Sequence, residues 1–227
     1  MLVAHFTHCV LAWLGQRLPS GGVVLRKRAP ESLDERVLRL ARTWGHTPAR
    51  ERAVERFSQL GEHAGVWLAI GAGRAALDGG QRARWLRATG TVGAMYALNT
   101  AIKLVVRRRR PQLRGLAALT PTATALSFPS AHASTAFAGA LSYSRLGLPR
   151  APLYALAAGL SYSRLYLGVH YPSDVLAGAV LGTGVAAIRD GRRRAAPAPV
   201  GPGAGYAANG SNGHVPSDAV FVGGGPP

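Results

Sequence analysis

Ser163-Arg164-Leu165-Tyr166-Leu167-Gly168-Val169-His170-Tyr171-Pro172-Ser173-Asp174 sets an arginine, a histidine and a carboxylate at fixed intervals between two apolar segments. Pro172 suits the first turn of a helix, with Tyr171 or Ser173 near its cap, so the stretch reads as a helix end, a turn and a new helix start. His170 and Asp174 stand at i and i+4 and share one face there. A carboxylate so placed can accept one imidazole N–H, fix the tautomer and leave the other nitrogen free to attack. Arg164 keeps its charge and offers a planar fork of donors that suits a phosphate.

An earlier copy of the opening letters separates chemistry from structure. Ser142-Tyr143-Ser144-Arg145-Leu146 repeats Ser161-Tyr162-Ser163-Arg164-Leu165, yet Ala151 stands where the later copy has His170. The earlier copy reads as a helix end with a basic residue near its C-terminus.

Working outward, residues 64–77, 88–106, 131–146, 151–167 and 175–188 are apolar stretches rich in Ala, Gly and Leu. Arginine-rich or proline-containing connections separate them. The pattern predicts an all-α chain, a compact bundle of about five core helices. A bilayer span needs roughly 20 apolar residues, and several stretches are marginal at that length. Small residues suit close helix packing in a membrane and suit a soluble bundle equally. Gly71-Ala72-Gly73 with Ala76 imitates a dinucleotide-binding loop, but no strand precedes it, which rejects that reading.

Around this core the chain divides into residues 1–30, an apolar N-terminal segment and linker; 31–60, an amphipathic helical region; 61–190, the helical core; and 191–227, a Gly- and Pro-rich tail expected to be disordered. Residues 1–14 make a poor signal peptide because no basic region precedes the apolar run. An interfacial segment, a short first span and residues ahead of the true start all remain open there. Ser32-Leu33-Asp34-Glu35 is a capping box. Behind it Leu33, Val37, Leu40, Ala41 and Trp44 recur at helical spacing among Arg36, Arg39 and Arg42. Such a helix lies on a membrane surface or packs one face on the domain.

The formal net charge is +17, carried almost wholly by arginine. That balance suits nucleic acid, an anionic membrane or a phosphorylated substrate, and does not choose among them. Cys9 is the single cysteine, which excludes an intrachain disulfide.

Two further constellations can converge on the first. Lys103 closes the second long apolar stretch, and Arg110-Pro111 follows six residues beyond it. A lysine in a last helical turn and an arginine in the next loop can point at one anion, although residues 107–110 alone read as a membrane anchor or nucleic-acid patch. In Phe128-Pro129-Ser130-Ala131-His132, a Pro-Ser pair starts another helix whose free N–H groups can receive an anion. His132 in that first turn becomes a candidate proton donor to a leaving oxygen once phosphate is bound.

In this order the three pieces resemble the type 2 phosphatidic acid phosphatase family, whose signature is Lys, six residues, Arg-Pro; then Pro-Ser-Gly-His; then Ser-Arg, five residues, His, three residues, Asp. Lys103 with Arg110-Pro111, Pro129-Ser130-Ala131-His132, and Ser163-Arg164 with His170 and Asp174 match at every spacing. Ala131 stands where the signature has glycine, which demands ordinary backbone angles there.

The resemblance implies that His170 attacks phosphorus, Asp174 orients it and His132 protonates the leaving group. Lys103, Arg110 and Arg164 would hold the phosphate oxygens, with N–H groups near Ser130 and Ala131 as further donors. It implies no metal and no other cofactor, a lipid phosphate monoester or diphosphate as substrate, membrane lipids as surroundings and no nucleic-acid partner. It further implies a multi-pass enzyme of the cell membrane with its site on the extracytoplasmic side. Gly61-Glu62-His63 and the short chain look like a small actinobacterial subgroup acting on a polyprenyl-linked phosphate, although Glu62 and His63 could equally cap the first core helix. Two rivals are a vanadate-dependent haloperoxidase, whose pocket is similar, and a non-catalytic basic binder of membranes or nucleic acid.

Overall fold

The structure, a computed structural model, describes residues 31–195; the expectations for residues 1–30 and for the tail from residue 196 onward lie outside it. The described residues form seven α-helices and no named strand. Helix α1 (Leu33–Thr43) starts at the capping box: the Ser32 hydroxyl accepts from the Glu35 N–H at 3.2 Å, and the Glu35 carboxylate accepts from the Ser32 N–H at 2.9 Å. Helix α2 (Pro48–Gln59) is capped by Thr47 with proline in its first turn. A 3-10 turn (Glu62–Ala64) leads to α3 (Gly65–Leu77), and then come α4 (Arg82–Val106), α5 (Ala131–Ser144), α6 (Arg150–Tyr166) and α7 (Pro172–Ala195). Helices α3 to α7 are the five apolar stretches of the sequence, and the last continues four residues past the tail's expected start.

Helix α5 occupies the centre, against α4, α6 and α7. Its alanines, glycine and serines make it narrow, which lets three neighbours approach. Gly178 and Gly182 of α7 face it directly: a Cβ on Gly178 would sit 2.6 Å from the Ser130 carbonyl oxygen, and one on Gly182 would strike the Ser134 carbonyl. At the other end, fully buried Trp67, Trp85 and Tyr143 fill the space between α3, α4 and α5, and the Tyr143 hydroxyl donates to the Trp67 carbonyl at 2.7 Å. Truncating either tryptophan to alanine is expected to cost about 3–5 kcal/mol.

No helix among the described residues is long and apolar enough to cross a membrane. Helices α4 and α7 have the length, but Ala, Gly and Thr dilute their hydropathy; α3 and α5 are short.

Helix α1 is docked, and by an unexpected face. Leu38 and Arg42 are buried, whereas Leu33, Leu40 and Trp44 of the apolar stripe are exposed, Leu33 and Trp44 each at 77%. Arg42 donates to the Tyr166 carbonyl at 3.2 Å and to the Ala117 carbonyl at 2.7 Å, while His46 stacks on Tyr166 with ring centroids 3.9 Å apart. Hydrogen bonds from a buried guanidinium, rather than the apolar stripe, hold this helix to the core.

Candidate active site

The last turn of α4, the first turn of α5, the last turn of α6 and the loop before α7 meet around a pocket of about 150 Å³ lined by Lys103, Arg110, Ala131, His132, Arg164 and His170. A larger cleft of about 290 Å³ lies between Arg84, Arg87 and Arg145 on the opposite rim, away from every one of these residues. There Arg145 is already paired with Asp190 at 2.9 Å.

The segment after α4 explains how an arginine run feeds the pocket. Arg107 ends α4 with left-handed backbone angles, and residues 108–110 then run extended, with Arg110 N–H donating to the Ala125 carbonyl and Ser127 N–H to the Arg108 carbonyl. Successive side chains of that segment alternate: Arg109 is exposed, while Arg108 and Arg110 turn inward. The run is not the uniform anchor its composition suggests.

Arg110 is held by the Val169 and Thr124 carbonyls, both at 2.8 Å, and its Nη1 lies 3.2 Å from His170 Nε2. Burial, then the neighbouring Arg164 charge, push its pKa down to about 10, so it stays cationic at neutral pH. Lys103 Nζ donates to the Ser127 carbonyl at 3.0 Å and the Leu126 carbonyl at 3.2 Å. Arg164 donates to the Ser58 hydroxyl at 2.8 Å, lies 3.6 Å from a Glu62 carboxylate oxygen, and keeps a buried Nε–H without a partner.

His170 is buried, and its pKa is held well below the ordinary histidine range, first by burial and then by Arg110, Lys103 and Arg164. The ring is therefore neutral at pH 7, with a lone pair available. Nε2 faces Arg110 and the pocket. Nδ1 lies 3.5 Å from the Asp174 carboxylate and makes no hydrogen bond of good geometry. The expected imidazole–carboxylate bond is thus not formed.

Asp174 is committed elsewhere. One oxygen accepts from Arg108 at 2.7 Å and the other from the Tyr171 N–H at 2.9 Å. Arg108 continues to Asp34 of α1 at 2.8 Å, and Asp34 also accepts from the Ser173 N–H at 3.0 Å and from its hydroxyl. Burial opposes the Asp34 charge, but the Ser173 and Arg108 hydrogen bonds outweigh it and lower the carboxyl's pKa. Burial likewise opposes the Arg108 charge, and its bonds to Asp34 and Asp174 raise its pKa.

Two expected anion donors differ. The Ser130 N–H is spent on the Asp174 carbonyl at 3.0 Å, and its hydroxyl caps α5 by accepting from the Ala133 N–H. Ser130 therefore braces the site, and Ala131, in ordinary helical geometry, is the one of the pair that lines the pocket. His132 Nε2 lies 3.0 Å from the Ser58 carbonyl and 4.0 Å from Glu62, which serves the pocket wall and not a helix cap.

Sequence reading missed Asp34, Ser58, Asn99 and Arg108. Arg108 carried a signal, its inward phase in an extended run; the other three are polar residues whose role depends on contacts distant in sequence.

Cations converge on a neutral histidine at the end of a helical bundle, an arrangement suited to a phosphate ester, and the chain belongs to the PAP2 superfamily, whose pattern it matches over residues 84–189. It is 36% identical over 187 residues to decaprenylphosphoryl-5-phosphoribose phosphatase of Mycobacterium tuberculosis, covering 80% of this chain and 98% of that one. The protein of the same name from Mycolicibacterium smegmatis is 36% identical over 151 residues, covering 66% of this chain and 83% of its own. Among solved structures, Aquifex aeolicus LpxE superposes with a TM-score of 0.59 at 25% identity, over 73% of this chain and 98% of that one. A transmembrane PAP2-type phosphatidylglycerolphosphate phosphatase from Bacillus subtilis gives the same score and identity over 71% and 85%.

Proposed function

We propose that this chain is a membrane-embedded phosphatase that removes the phosphate from a polyprenyl-linked phosphoribose through a phosphohistidine on His170. The observation that carries the reading is the grouping of Lys103, Arg110 and Arg164 around His170 Nε2, with His132 across the same pocket. The names of the relatives supply the substrate class.

The chemistry runs in two displacements. The phosphate dianion enters among the three cations, and its oxygens take the Arg110 N–H that otherwise points at Nε2. The freed lone pair attacks phosphorus, the P–O ester bond breaks, and His132, doubly protonated once the dianion is bound, gives its Nδ1 proton to the departing alkoxide while Nε2–H stays on the Ser58 carbonyl. Water then attacks phosphorus and passes a proton to His132, the P–N bond breaks, inorganic phosphate leaves and His170 returns to its neutral form. Preorganised positive charge stabilises both transition states, the main help that phosphoryl transfer needs. Asp174 acts on His170 as a fixed charge near Nδ1 while Arg108 and the Tyr171 N–H hold it in place.

Embedding in the bilayer is supported by the outer surfaces of the long helices. Between Arg87 and Arg107, α4 turns Leu98, Leu104, Val105 and Val106 outward and buries its one charge, Lys103. Its 19 residues from 88 to 106 rise roughly 30 Å, the thickness of a hydrocarbon core. Leu176, Val180 and Ile188 extend the belt on α7, and the exposed Leu33, Leu40 and Trp44 edge of α1 suits the interface at the pocket end. In this reading that end faces the extracytoplasmic side, in keeping with the family resemblance.

Phosphate release from detergent-solubilised full-length protein across a panel of lipid phosphates, with and without EDTA, tests the reading. Turnover that survives chelation supports it, since side chains supply the positive charge. Turnover that dies with EDTA and returns with magnesium removes the mechanism.

A further inference from the structure

Beside the cations, the pocket carries acceptor groups that a phosphate cannot satisfy. Asn99 is fully buried and lines the pocket; its amide N–H₂ donates to the Pro129 carbonyl at 3.2 Å and to the Ser134 hydroxyl at 3.1 Å. Because the Pro129 carbonyl can only accept, the amide orientation is fixed, and Asn99 Oδ1 is left buried without a partner. Glu62 stands on the same wall, its carboxylate 4.0 Å from His132 Nε2. Tyr96 and Thr100 add hydroxyls there, one helical turn apart on α4.

The turn that presents Glu62 is built for this place. His63 and Ala64 both hold left-handed backbone angles, φ 52° and 62°, which non-glycine residues rarely adopt. Such strain persists only where the surroundings impose it, and it gathers at functional sites. Gly61 permits the approach: a Cβ there would sit 2.6 Å from Cδ2 of His132. His63 in turn lies beside Tyr96, ring centroids 5.9 Å apart.

A phosphate dianion brings acceptors only, so it suits Lys103, Arg110 and Arg164, competes with Glu62 for Arg164, and offers Asn99 Oδ1 no donor. A leaving group that is itself a phosphate would add negative charge beside Glu62 and still bring no donor. An alcohol with several free hydroxyls satisfies both acceptors. We propose that Glu62, Asn99 and Tyr96 form a leaving-group subsite beside His132 that reads a polyhydroxylated alcohol, so that the enzyme cleaves a sugar monoester in preference to a diphosphate or a simple alkyl phosphate. This rests on the phosphatase reading above and adds the residues that choose the substrate.

The test uses the full-length protein in detergent with matched probes: methyl ribofuranoside 5-phosphate; tetrahydrofurfuryl phosphate, the same ring without its hydroxyls; geranyl diphosphate; and farnesyl phosphate. The wild type is expected to favour the ribofuranoside over its deoxygenated twin by at least about tenfold in kcat/KM and to cleave the diphosphate more slowly than either. Tyr96→Phe, near-isosteric, should reduce the ribofuranoside rate toward that of the twin and change farnesyl phosphate hydrolysis by less than about threefold, whereas Glu62→Gln, which also touches Arg164 and His132, should slow the ribofuranoside several-fold more than farnesyl phosphate. Equal rates on the two ring probes in the wild type, or equal losses on every substrate in both variants, overturn the subsite. Turnover of farnesyl phosphate with none on the ribofuranoside also overturns it and leaves the lipid phosphatase intact. No turnover on any of the four overturns the phosphatase reading itself.

Discussion

Asp34 and Asp174 share one guanidinium: Arg108 lies 2.8 Å from the first carboxylate and 2.7 Å from the second. The first belongs to α1, outside the stretch that matches the superfamily; the second stands beside the nucleophile's Nδ1. The face of Tyr171 covers the same guanidinium, 4.1 Å from ring centroid to carbon. The N-terminal helix is thereby tied to the placement of His170.

Asp34→Asn should consequently lower kcat with little change in KM, because Asp34 touches no part of the pocket. A displacement of Asp174 by a fraction of an ångström is expected to cost roughly 10–100-fold in rate. Arg108→Ala should do more, since it leaves the buried Asp174 with only the Tyr171 N–H, and it should also lower stability by about 1.5–3 kcal/mol. Steady-state kinetics with thermal melting of both variants checks this. A raised KM with unchanged kcat in Asp34→Asn would place α1 at the substrate and not behind the nucleophile.

The depressed pKa of His170 has a pH consequence with a definite sign. The unfolded chain takes up a proton on this side chain near pH 6.5, whereas the folded chain resists until lower pH. His170 therefore costs no stability above that pH, and stability falls progressively as pH drops from about 6.5 toward the depressed folded value. His170→Asn should flatten this part of the curve of melting temperature against pH. Arg110→Gln, by removing the guanidinium charge 3.2 Å from Nε2, should let His170 protonate more readily and move the acid limb of kcat/KM to higher pH. An unmoved limb in Arg110→Gln would mean that Arg110 does not tune the nucleophile.

The core helices were legible because their apolar stretches are long and separated by arginines and prolines, and the site was legible because three spaced motifs accompany them. The docking of α1 was not. Its periodic residues, Leu33, Leu40 and Trp44, pointed to an apolar face, yet tertiary hydrogen bonds donated by Arg42 and accepted by Asp34 dock another face, which also buries Leu38. A charged residue on a helix reads as solvated unless its partner is known, and here the partners are Tyr166, Ala117, Ser173 and Arg108. The i, i+4 spacing of His170 and Asp174 correctly put them side by side, but it could not reveal that Arg108 and the Tyr171 N–H occupy the carboxylate. Ser130 was misread for a similar reason: a helix-start N–H looks free until another helix supplies the Asp174 carbonyl.

A phosphohistidine leaves a chemical trace. Rapid acid-free quenching of wild type during turnover of a ³²P-labelled lipid phosphate should trap a protein-bound label that is stable to base and lost in acid. His170→Ala should neither accumulate it nor release phosphate. Undiminished turnover in His170→Ala would eliminate this histidine as the nucleophile.

His132 and His170 stand at one pocket, and their roles separate by leaving group. A general acid matters only as far as the departing oxygen needs its proton. The alkoxide of a prenyl or ribosyl phosphate leaves poorly, so His132→Ala should slow hydrolysis of such substrates by about 10²-fold or more. The phenolate of p-nitrophenyl phosphate leaves unaided, and the same variant should lose much less there. His170→Ala should disable both substrates alike, since every ester must be attacked. The contact of His132 Nε2 with the Ser58 carbonyl at 3.0 Å gives a second handle. That carbonyl can only accept, so it keeps a proton on Nε2 and fixes the ring's orientation; a substitution that shifts residue 58 should therefore reproduce the leaving-group dependence in milder form. Equal slowing of both substrates by His132→Ala, with phosphate binding intact, would instead assign His132 to positioning the phosphate or His170.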